Sequence, residues 1–395
     1  MVYMDREQGT QLLADALKGF HGRFKIMYGQ FALRLDGNTY LSTGGNKPIF
    51  DITEADFELC DIKSGDLGEI FRSCPHVNAL LFGCSQDTVA ASDRDSDLPV
   101  TLEDLAQLTG PYLKVIPDAS PASIISAIQD SSVCLIKGVG VLAAASNPKK
   151  AVAGAHIVEK ACEADIHGAA LGGTEPIPED DARALKADFA ASYVNRNESK
   201  DVAYMAFDEE EFAMRSQLIE YGKELVKRDL AYGSWGNVSL RLNDHEMLIT
   251  PSSMDYFSIK PEDIVRIDIN TLEYGSQRVP SSITDVHAAL YRAYPECGAI
   301  LHTHSNAVSV FAACQAGFAM TDPDMKQIIG DVMATSYAQA GTQELIDTVV
   351  ETMGKTHAAI LPNHGGLFTG PSLDVVFAIA EAVESRSRNL LGFTS

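Results

Sequence analysis

Three histidines in the C-terminal half of the chain have the spacing expected of metal ligands. His302 and His304 stand two positions apart in the segment ILHTHS, which is typical of a strand, so both side chains face the same side. His364 precedes two glycines, where a tight turn would bring a third imidazole towards the pair. Three neutral imidazoles leave one coordination position open, as in catalytic metal sites. The alternative interpretation is a pair of ordinary histidines on a half-buried strand.

Such a site would hold one divalent ion that polarises a substrate oxygen or activates water. Imidazole ligands suit Zn²⁺ best, with Mn²⁺, Co²⁺ or Fe²⁺ as alternatives. The other seven of the ten histidines are isolated in the sequence, and we interpret them as ordinary surface or core residues. His287 is the least certain of these, because it lies in a predicted helix that leads towards the cluster.

The elements that would position the histidines occur twice in the chain. Residues 29–62 align without a gap with residues 236–269, each with an alternating strand, a turn, a second strand and an acidic segment that leads to a third strand. Residues 70–85 align with residues 290–305, each as a helix end, a proline-led turn and a buried strand. Such internal similarity indicates a repeated structural unit.

A third aligned pair, 133–142 with 358–367, predicts a strand and a glycine turn before another helix. The chain is therefore interpreted as a tandem duplication of one α/β unit. The polar stretch near residues 195–208 lacks an apolar period and marks the boundary. This predicts two domains, residues 1–200 and 208–395.

The first copy has lost all three histidines. Its aligned positions hold Phe82, Cys84 and Val139. The joint loss of all three suggests that the three imidazoles act as a unit. We therefore expect one metal site per chain, located in the second copy.

Composition excludes several classes of partner. The 395 residues include 54 acidic and 31 basic side chains, a formal net charge of −23, which repels nucleic acids and anionic membranes. The seven scattered cysteines indicate free thiols in a reducing compartment. The N-terminal residues do not resemble a signal peptide, and no apolar run has the length of a membrane span. We therefore expect a cytoplasmic protein that binds neither nucleic acid nor membranes.

Four motifs occur in order in the second copy: SWGNVSLR (234–241), MLITPSS (247–253), PSSITDVHAALYRAYPECGAILHTHS (280–305) and LPNHGGLFTG (361–370). On these motifs, residues 208–388 resemble the class II, metal-dependent aldolase and adducin family, which includes L-fuculose-phosphate aldolase and L-ribulose-5-phosphate 4-epimerase. The resemblance implies an α/β fold, with two tandem three-layer α/β/α domains, each around a mostly antiparallel sheet. It also implies that the three histidines bind the metal.

Small residues at three turns of the second copy form a candidate phosphate cradle. Glycine and short hydroxyl side chains let a backbone approach a phosphate and donate hydrogen bonds to it, although plain turn chemistry explains any one of them. The resemblance implies that these loops bind the substrate phosphate. The candidate residues are Ser234, Gly236, Asn237, Ser252, Ser253, Ser281 and Ser282. Trp235, the only tryptophan, departs from the family pattern and would narrow the pocket.

One departure bears directly on the reaction. Family aldolases have a carboxylate directly after the PSS serines, whereas this chain has Ile283, which cannot transfer a proton. Asp285 would face the same side as Ile283 and replace the carboxylate if the segment were extended. The alternative is that Asp285 caps the following helix.

Two further catalytic candidates lie in the first copy. In the family, a neighbouring subunit donates residues from a mid-domain loop and from a C-terminal tail that carries a tyrosine. Residues 170–194 resemble that tail, with Tyr193 at its tyrosine, and Glu103 lies near the loop position. The second copy ends at Ser395 without a similar tail, which suggests a composite site completed by the first copy. The alternatives are that Tyr193 packs an amphipathic helix and that Glu103 is an exposed helix-starting residue.

These observations predict a metal-dependent aldehyde-lyase of the aldolase type. It would act on a phosphorylated ketose or a related hydroxycarbonyl through a metal-stabilised enediolate. The alternatives are an epimerase, dehydratase or decarboxylase that uses the same chemistry, and a non-catalytic adducin-like scaffold. Retention of three imidazoles argues against the scaffold. The resemblance further implies a homodimer with pseudo-four-fold symmetry and a phosphorylated sugar as the small-molecule partner.

Overall fold

A computed structural model describes residues 4–18, 28–45, 47–195, 207–232, 235–275 and 278–393, without the side chains of residues 192–195. The chain divides into two compact units. The first comprises Met1–Ile166 and Pro176–Phe189, and the second comprises His167–Glu175 and Ala190–Ser395. The segment His167–Glu175 therefore belongs to the second unit, although its sequence precedes the predicted boundary.

The first unit carries the helices and strands of the first copy, and the last residues of α6 and α7 fall in the second unit. Its helices are α1 (Arg6–Leu17), α2 (Gly65–Ser73), α3 (Gln86–Ser92), α4 (Glu103–Thr109), α5 (Pro121–Ala127), α6 (Pro148–Gly168) and α7 (Glu179–Asn195). Its strands are β1 (Tyr28–Arg34), β2 (Thr39–Ser42), β3 (Lys47–Pro48), β4 (Glu58–Asp61), β5 (Ala79–Cys84), β6 (Leu98–Pro99), β7 (Tyr112–Leu113), β8 (Val115–Ile116), β9 (Val133–Ile136) and β10 (Gly140–Ala145).

The second unit carries the elements of the second copy. Its helices are α8 (Glu209–Lys227), α9 (Thr284–Ala293), α10 (Asn306–Ala313), α11 (Pro323–Ile329), α12 (Gln343–Met353) and α13 (Leu373–Leu391). Its strands are β11 (Asn237–Arg241), β12 (Glu246–Ile249), β13 (Val265–Asp268), β14 (Ala299–Thr303), β15 (Met333–Ala334), β16 (Ala358–Leu361) and β17 (Gly365–Gly370).

The main sheets of the two units have the same topology. The first sheet has the order β4-β2-β1-β5-β10-β9-β8, with β3 beside β1, and the second has the order β13-β12-β11-β14-β17-β16-β15. In each, the last two strands pair in parallel and the other neighbours pair antiparallel. The matching order confirms the tandem duplication and the mostly antiparallel α/β fold predicted from the sequence.

Helices cover both faces of the second sheet. Apolar side chains of α9 and α12 pack on one face, in a core that includes Met247, Ile300 and Leu367. Helices α8, α10 and α13 pack against strands of the same sheet, and α10 also contacts α13. Strand β14 lies in the middle and all five of its residues are buried, as expected for a strand enclosed between layers. This strand carries His302 on the same face as Ile300.

The structure corrects the prediction for the residues after the glycine turn. The sequence pattern predicts a helix after this turn and no strand before that helix, whereas Gly365–Gly370 forms strand β17 and α13 follows from Leu373. Glycine is required here because a Cβ at Gly365 would lie 2.2 Å from the carbonyl oxygen of Thr303 on β14. The glycines after the turn therefore serve the close approach of β17 to β14.

Two further sequence expectations concern the whole chain. Within the described ranges, no helix combines the length and the apolar character that crossing a bilayer requires. All seven cysteines lie in these ranges and are free thiols.

Candidate metal centre

The structure brings the three predicted metal ligands together. The Nε2 atom of His302 lies 2.9 Å from Nε2 of His304 and 3.2 Å from Nε2 of His364. One ligand atom from each residue lies within 4.8 Å of the other two, and this is the single such group found among the described residues. Two nitrogens on one tetrahedral Zn²⁺ ion, each about 2.0–2.1 Å from the metal, are about 3.3 Å apart, so the cluster fits a divalent ion.

The protonation state of His302 also fits a metal ligand. Its Nδ1–H donates to the carbonyl oxygen of Gly366 at 2.9 Å, which leaves the lone pair of Nε2 directed at the other imidazoles. Burial, and then the neighbouring imidazoles of His364 and His304, hold the pKa of His302 well below its ordinary value. A neutral imidazole whose second nitrogen is fixed by a backbone carbonyl is the usual arrangement of a metal-binding histidine.

His304 is positioned by the end of β14 and the start of α10. Its backbone N–H donates to the carbonyl oxygen of Leu230 at 3.0 Å. The buried carboxylate of Glu384, on α13, accepts hydrogen bonds from the N–H groups of Ala307 and Val308 in the first turn of α10. These amides would otherwise be unpaired, and a carboxylate stabilises the positive end of the helix dipole. The strand that carries the histidines is thereby anchored where it passes into the helix.

His364 lies at the end of a tight turn between β16 and β17. The turn is closed by a hydrogen bond of 3.0 Å from the backbone N–H of His364 to the carbonyl oxygen of Leu361. The preceding residue, Asn363, is fully buried and has φ +60°, in the left-handed region. A non-glycine residue adopts this conformation at a cost that the surroundings must offset.

The serine-bearing loops predicted to bind phosphate lie side by side. Pro251 and Pro280 form an isolated antiparallel bridge, and the N–H of Ser252 donates to the carbonyl oxygen of Val279 at 2.9 Å. This pairing places the TPSS loop next to the PSS segment, which leads directly into α9. The side chains of the four candidate serines in these loops are at least partly exposed: Ser252, Ser253, Ser281 and Ser282.

Two further residues predicted to bind phosphate, Gly236 and Asn237, lie against the strand that carries His302. Asn237 is paired with His302 in the register of β11 and β14, so the two side chains share a face. Gly236 has φ +82°, and a Cβ there would lie 2.9 Å from the carbonyl oxygen of His302. The hydroxyl of Tyr256, in the TPSS loop, donates to the carbonyl oxygen of Gly236 at 2.8 Å. Ser234 lies outside the described residues.

Ile283, at the position where the family resemblance implies a carboxylate, is part of the hydrophobic core. Ile283 is 1% exposed and packs with Val286 in the core beneath α9. Asp285 lies in the first turn of α9, so the extended segment that would align it with Ile283 is not present. Its carboxylate accepts a hydrogen bond from the N–H of Val286 at 2.9 Å, and burial raises its pKa. A catalytic role for Asp285 stays a prediction.

The predicted donor residues of the first copy lie in its helices. The backbone of Tyr193 belongs to α7, and its side chain lies outside the described part of the chain. Glu103 is the first residue of α4, as the helix-start alternative proposed, but it is 4% exposed rather than solvated. Burial, and then the charges of Asp104 and Asp181, raise the pKa of Glu103 to about 8. A catalytic role for either residue stays a prediction.

The raised pKa of Glu103 predicts a pH-dependent stability. The folded state holds this proton up to about pH 8, whereas the unfolded chain releases it near the ordinary glutamate pKa of 4.5. The free energy of unfolding therefore falls as pH rises between these two values. Glu103→Gln should therefore raise the unfolding midpoint at pH 8, by about 2–4 °C for each kcal/mol relieved, and change it little at pH 5. Thermal unfolding at both pH values tests this. Equal shifts of the unfolding midpoint at pH 5 and pH 8 would contradict the prediction. A similar effect of Glu69→Gln, at an exposed position, would also contradict it.

A buried hydrogen-bond chain behind the cluster was not foreseen from the sequence. The Oγ of Ser239 on β11 lies 2.8 Å from Nδ1 of His287 and 2.9 Å from the hydroxyl of Tyr291, both on α9. His287 is fully buried, and burial lowers its pKa to about 3, so it is neutral at physiological pH. This confirms the interpretation of His287 as a core residue. The spacing of His287 and Tyr291 by one helix turn was the available signal.

The model of the class II aldolase and adducin N-terminal domain family matches residues 13–166 and 216–391. The chain belongs to this family. The match in both regions confirms the tandem duplication of the family domain. At the level of the family, the prediction of a class II aldolase-like lyase is also confirmed.

Three similar proteins are named for three different reactions, an aldol cleavage, a decarboxylation and a dehydration. The 5-deoxy-D-ribulose 1-phosphate aldolase of Bacillus thuringiensis serovar kurstaki is 30% identical over 175 residues, 43% of this chain and 80% of that enzyme. The 3-oxo-tetronate 4-phosphate decarboxylase of Pectobacterium atrosepticum is 28% identical over 180 residues, 44% of this chain and 82% of that enzyme. The methylthioribulose-1-phosphate dehydratase of the same organism is 44% identical over 82 residues, 21% of this chain and 40% of that enzyme.

Proposed function

We propose that the chain is a metal-dependent lyase of the aldolase type that acts on a phosphorylated ketose or a related hydroxycarbonyl compound. The observation that carries the proposal is the buried cluster of His302, His304 and His364 beside the serine loops. A divalent ion held there, with Zn²⁺ as the expected metal, would supply Lewis acidity to a substrate oxygen. The three relatives support the substrate class, because each of them is named after a phosphorylated compound.

Different residues of the chain would bind the metal and the phosphate group. The three imidazoles hold the metal, and the loop serines with Gly236 and Asn237 bind the phosphate group. The first N–H groups of α9 follow Ser281 and Ser282 directly and add the positive end of a helix dipole. This arrangement explains how a chain with a net charge of −23 can bind an anionic substrate.

A decarboxylase is the second candidate, and Ile283 favours it. The buried alkyl side chain cannot transfer a proton where family aldolases have a carboxylate. Loss of carbon dioxide leaves the electron pair on the carbon next to a polarised carbonyl and needs no base at this position. Asp285 is the proposed proton carrier if the reaction is an aldol cleavage, because its carboxyl group lies two residues after Ile283 and burial raises its pKa.

The two candidates are separated by their products. Protein purified without added metal is first analysed for bound metal, and is then incubated with ketose 1-phosphates and with phosphorylated 3-oxo acids. Release of an aldehyde identifies an aldolase, release of carbon dioxide a decarboxylase, and loss of water a dehydratase. A folded protein that binds no metal, or that binds metal and turns over none of these substrates, would contradict the proposed function.

Assembly and localisation belong to the same proposal. We propose a homodimer, in which the two chains together supply four family domains. Sedimentation that shows a stable monomer at micromolar concentration would contradict it.

The free thiols support a reducing compartment, and we propose the cytoplasm.

A further inference from the structure

Asn363, the residue before the third histidine, is held on three sides by hydrogen bonds. Its backbone N–H donates to the carbonyl oxygen of Ala312 at 2.8 Å. Its side-chain Nδ2 donates to the carbonyl oxygen of Glu175 at 2.7 Å, and its Oδ1 accepts from Nε2 of Gln315 at 3.0 Å. The side chain therefore cannot rotate without losing both of its partners.

The segment that contributes Glu175 is itself fixed to the second unit. The backbone N–H of Glu175 donates to the carbonyl oxygen of Ala313, at the end of α10, at 2.8 Å. A Cβ at Gly168, at the other end of the segment, would lie 2.8 Å from the Sγ of Cys314. We call the hydrogen-bonded set of Glu175, Gln315 and Asn363 the Asn363 clamp.

The first copy provides an internal comparison for this turn. Its backbone is closed in the same way, with the N–H of Val139 donating to the carbonyl oxygen of Ile136 at 2.9 Å. Gly138 takes the place of Asn363 at φ +68°, and a Cβ there would have no atom within 4 Å. Val139, in the place of His364, is 47% exposed.

The two copies show which feature closes the turn and which feature is present only where a histidine follows. Glycine adopts the left-handed conformation without steric cost, and it suffices in the copy that has no metal ligand. In the copy with the ligand, a residue less suited to this conformation is present, and its side chain makes the two hydrogen bonds of the clamp. Because the backbone of residue 363 sets the direction in which residue 364 leaves the turn, the clamp bears directly on the imidazole of His364.

We propose that Asn363 is a positioning residue: the clamp fixes His364 in the arrangement in which it binds the metal. The inference rests on the proposed metal site. Residues that orient metal ligands typically contribute about 10- to 100-fold to metal affinity. Asn363→Gly keeps the left-handed conformation and removes both side-chain hydrogen bonds, so we expect the dissociation constant for Zn²⁺ to rise by about that factor.

The test uses the full-length protein, with Zn²⁺ affinity measured by competition with a chromogenic chelator. Absorption of the Co²⁺-substituted protein reports the geometry of the ligands, and thermal unfolding of the metal-free protein reports the fold. Gln315→Gly removes one hydrogen bond of the clamp and should weaken binding in the same direction by a smaller factor. Leu272→Gly is the matched control, because Leu272 also has φ +61° but lies exposed on another loop.

The expected result is weaker Zn²⁺ binding and an altered Co²⁺ spectrum in Asn363→Gly, with an unchanged unfolding midpoint of the metal-free protein and with Leu272→Gly like wild type. Wild-type affinity and spectrum in Asn363→Gly would overturn the inference and leave the proposed metal site intact. If Asn363→Gly does not fold, wild-type affinity in Gln315→Gly overturns it. Wild-type protein that fails to bind Zn²⁺ would overturn the proposed function together with this inference.

Discussion

His302→Ala or His364→Ala should abolish tight metal binding and lower kcat/KM by about 10³-fold or more. Each substitution removes one of three imidazoles from a cluster whose Nε2 atoms lie 2.9 and 3.2 Å from that of His302. Lewis-acid stabilisation of a developing charge is worth several kcal/mol, and about 1.4 kcal/mol corresponds to a factor of ten in rate. Metal content measured on the purified variants, together with the rate on the substrate identified by the product screen, checks the prediction.

The duplication supplies the control for this experiment. Val139 occupies the place of His364 in the first copy and is exposed, so Val139→Ala should leave metal content and activity unchanged. The wild-type chain should bind one equivalent of metal, because only the second copy has the ligands. Two equivalents bound at equivalent positions would contradict the inference from the duplication, and full metal content in His364→Ala would show that the cluster is not the site.

Ser281→Ala combined with Ser282→Ala should lower kcat/KM for a phosphorylated substrate by about 10²-fold or more. The PSS segment is paired with the TPSS loop at Pro251 and leads directly into α9. A hydrogen bond to a charged group is typically worth about 1.5–3 kcal/mol, and the double variant removes two. Steady-state kinetics on the phosphorylated substrate test the loss.

The specificity of this loss is as informative as its size. Activity on the corresponding substrate without its phosphate should change little in the double variant, because the serines would make no contact there. Ser258→Ala is the matched control, since Ser258 is exposed in the same loop and its hydroxyl donates to the carbonyl oxygen of Asp255. An equal loss on both substrates would assign the serines a structural role.

The sequence was sufficient to find the three clustered histidines because the strand spacing of two of them and the repeat comparison of all three agree. The spacing of His302 and His304 depends only on the geometry of a strand, and the structure confirms that both imidazoles meet. The repeat then showed that the first copy lacks all three histidines together. The common strand order of the two sheets followed from the same repeat, since similar sequences fold alike.

The features that were missed depend on contacts between distant parts of the chain. The periodicity around Glu103 indicates a helix start, but its burial depends on packing that no local pattern reports. Strand β17 was missed because its glycines serve close approach to β14. Asn363 could have been noticed, because the repeat aligns it with Gly138, and asparagine and glycine share a tolerance for left-handed backbone.

The membership of His167–Glu175 in the second unit has a practical consequence for dividing the chain. A gene fragment that starts at the polar stretch near residue 200 would follow the repeat, yet it would leave out His167–Glu175 and the residues between Ala190 and its own start, which belong to the compact unit that holds the histidines. The carbonyl group that anchors Asn363 would be lost with them. A fragment meant to preserve the histidine-bearing unit intact should therefore begin before His167.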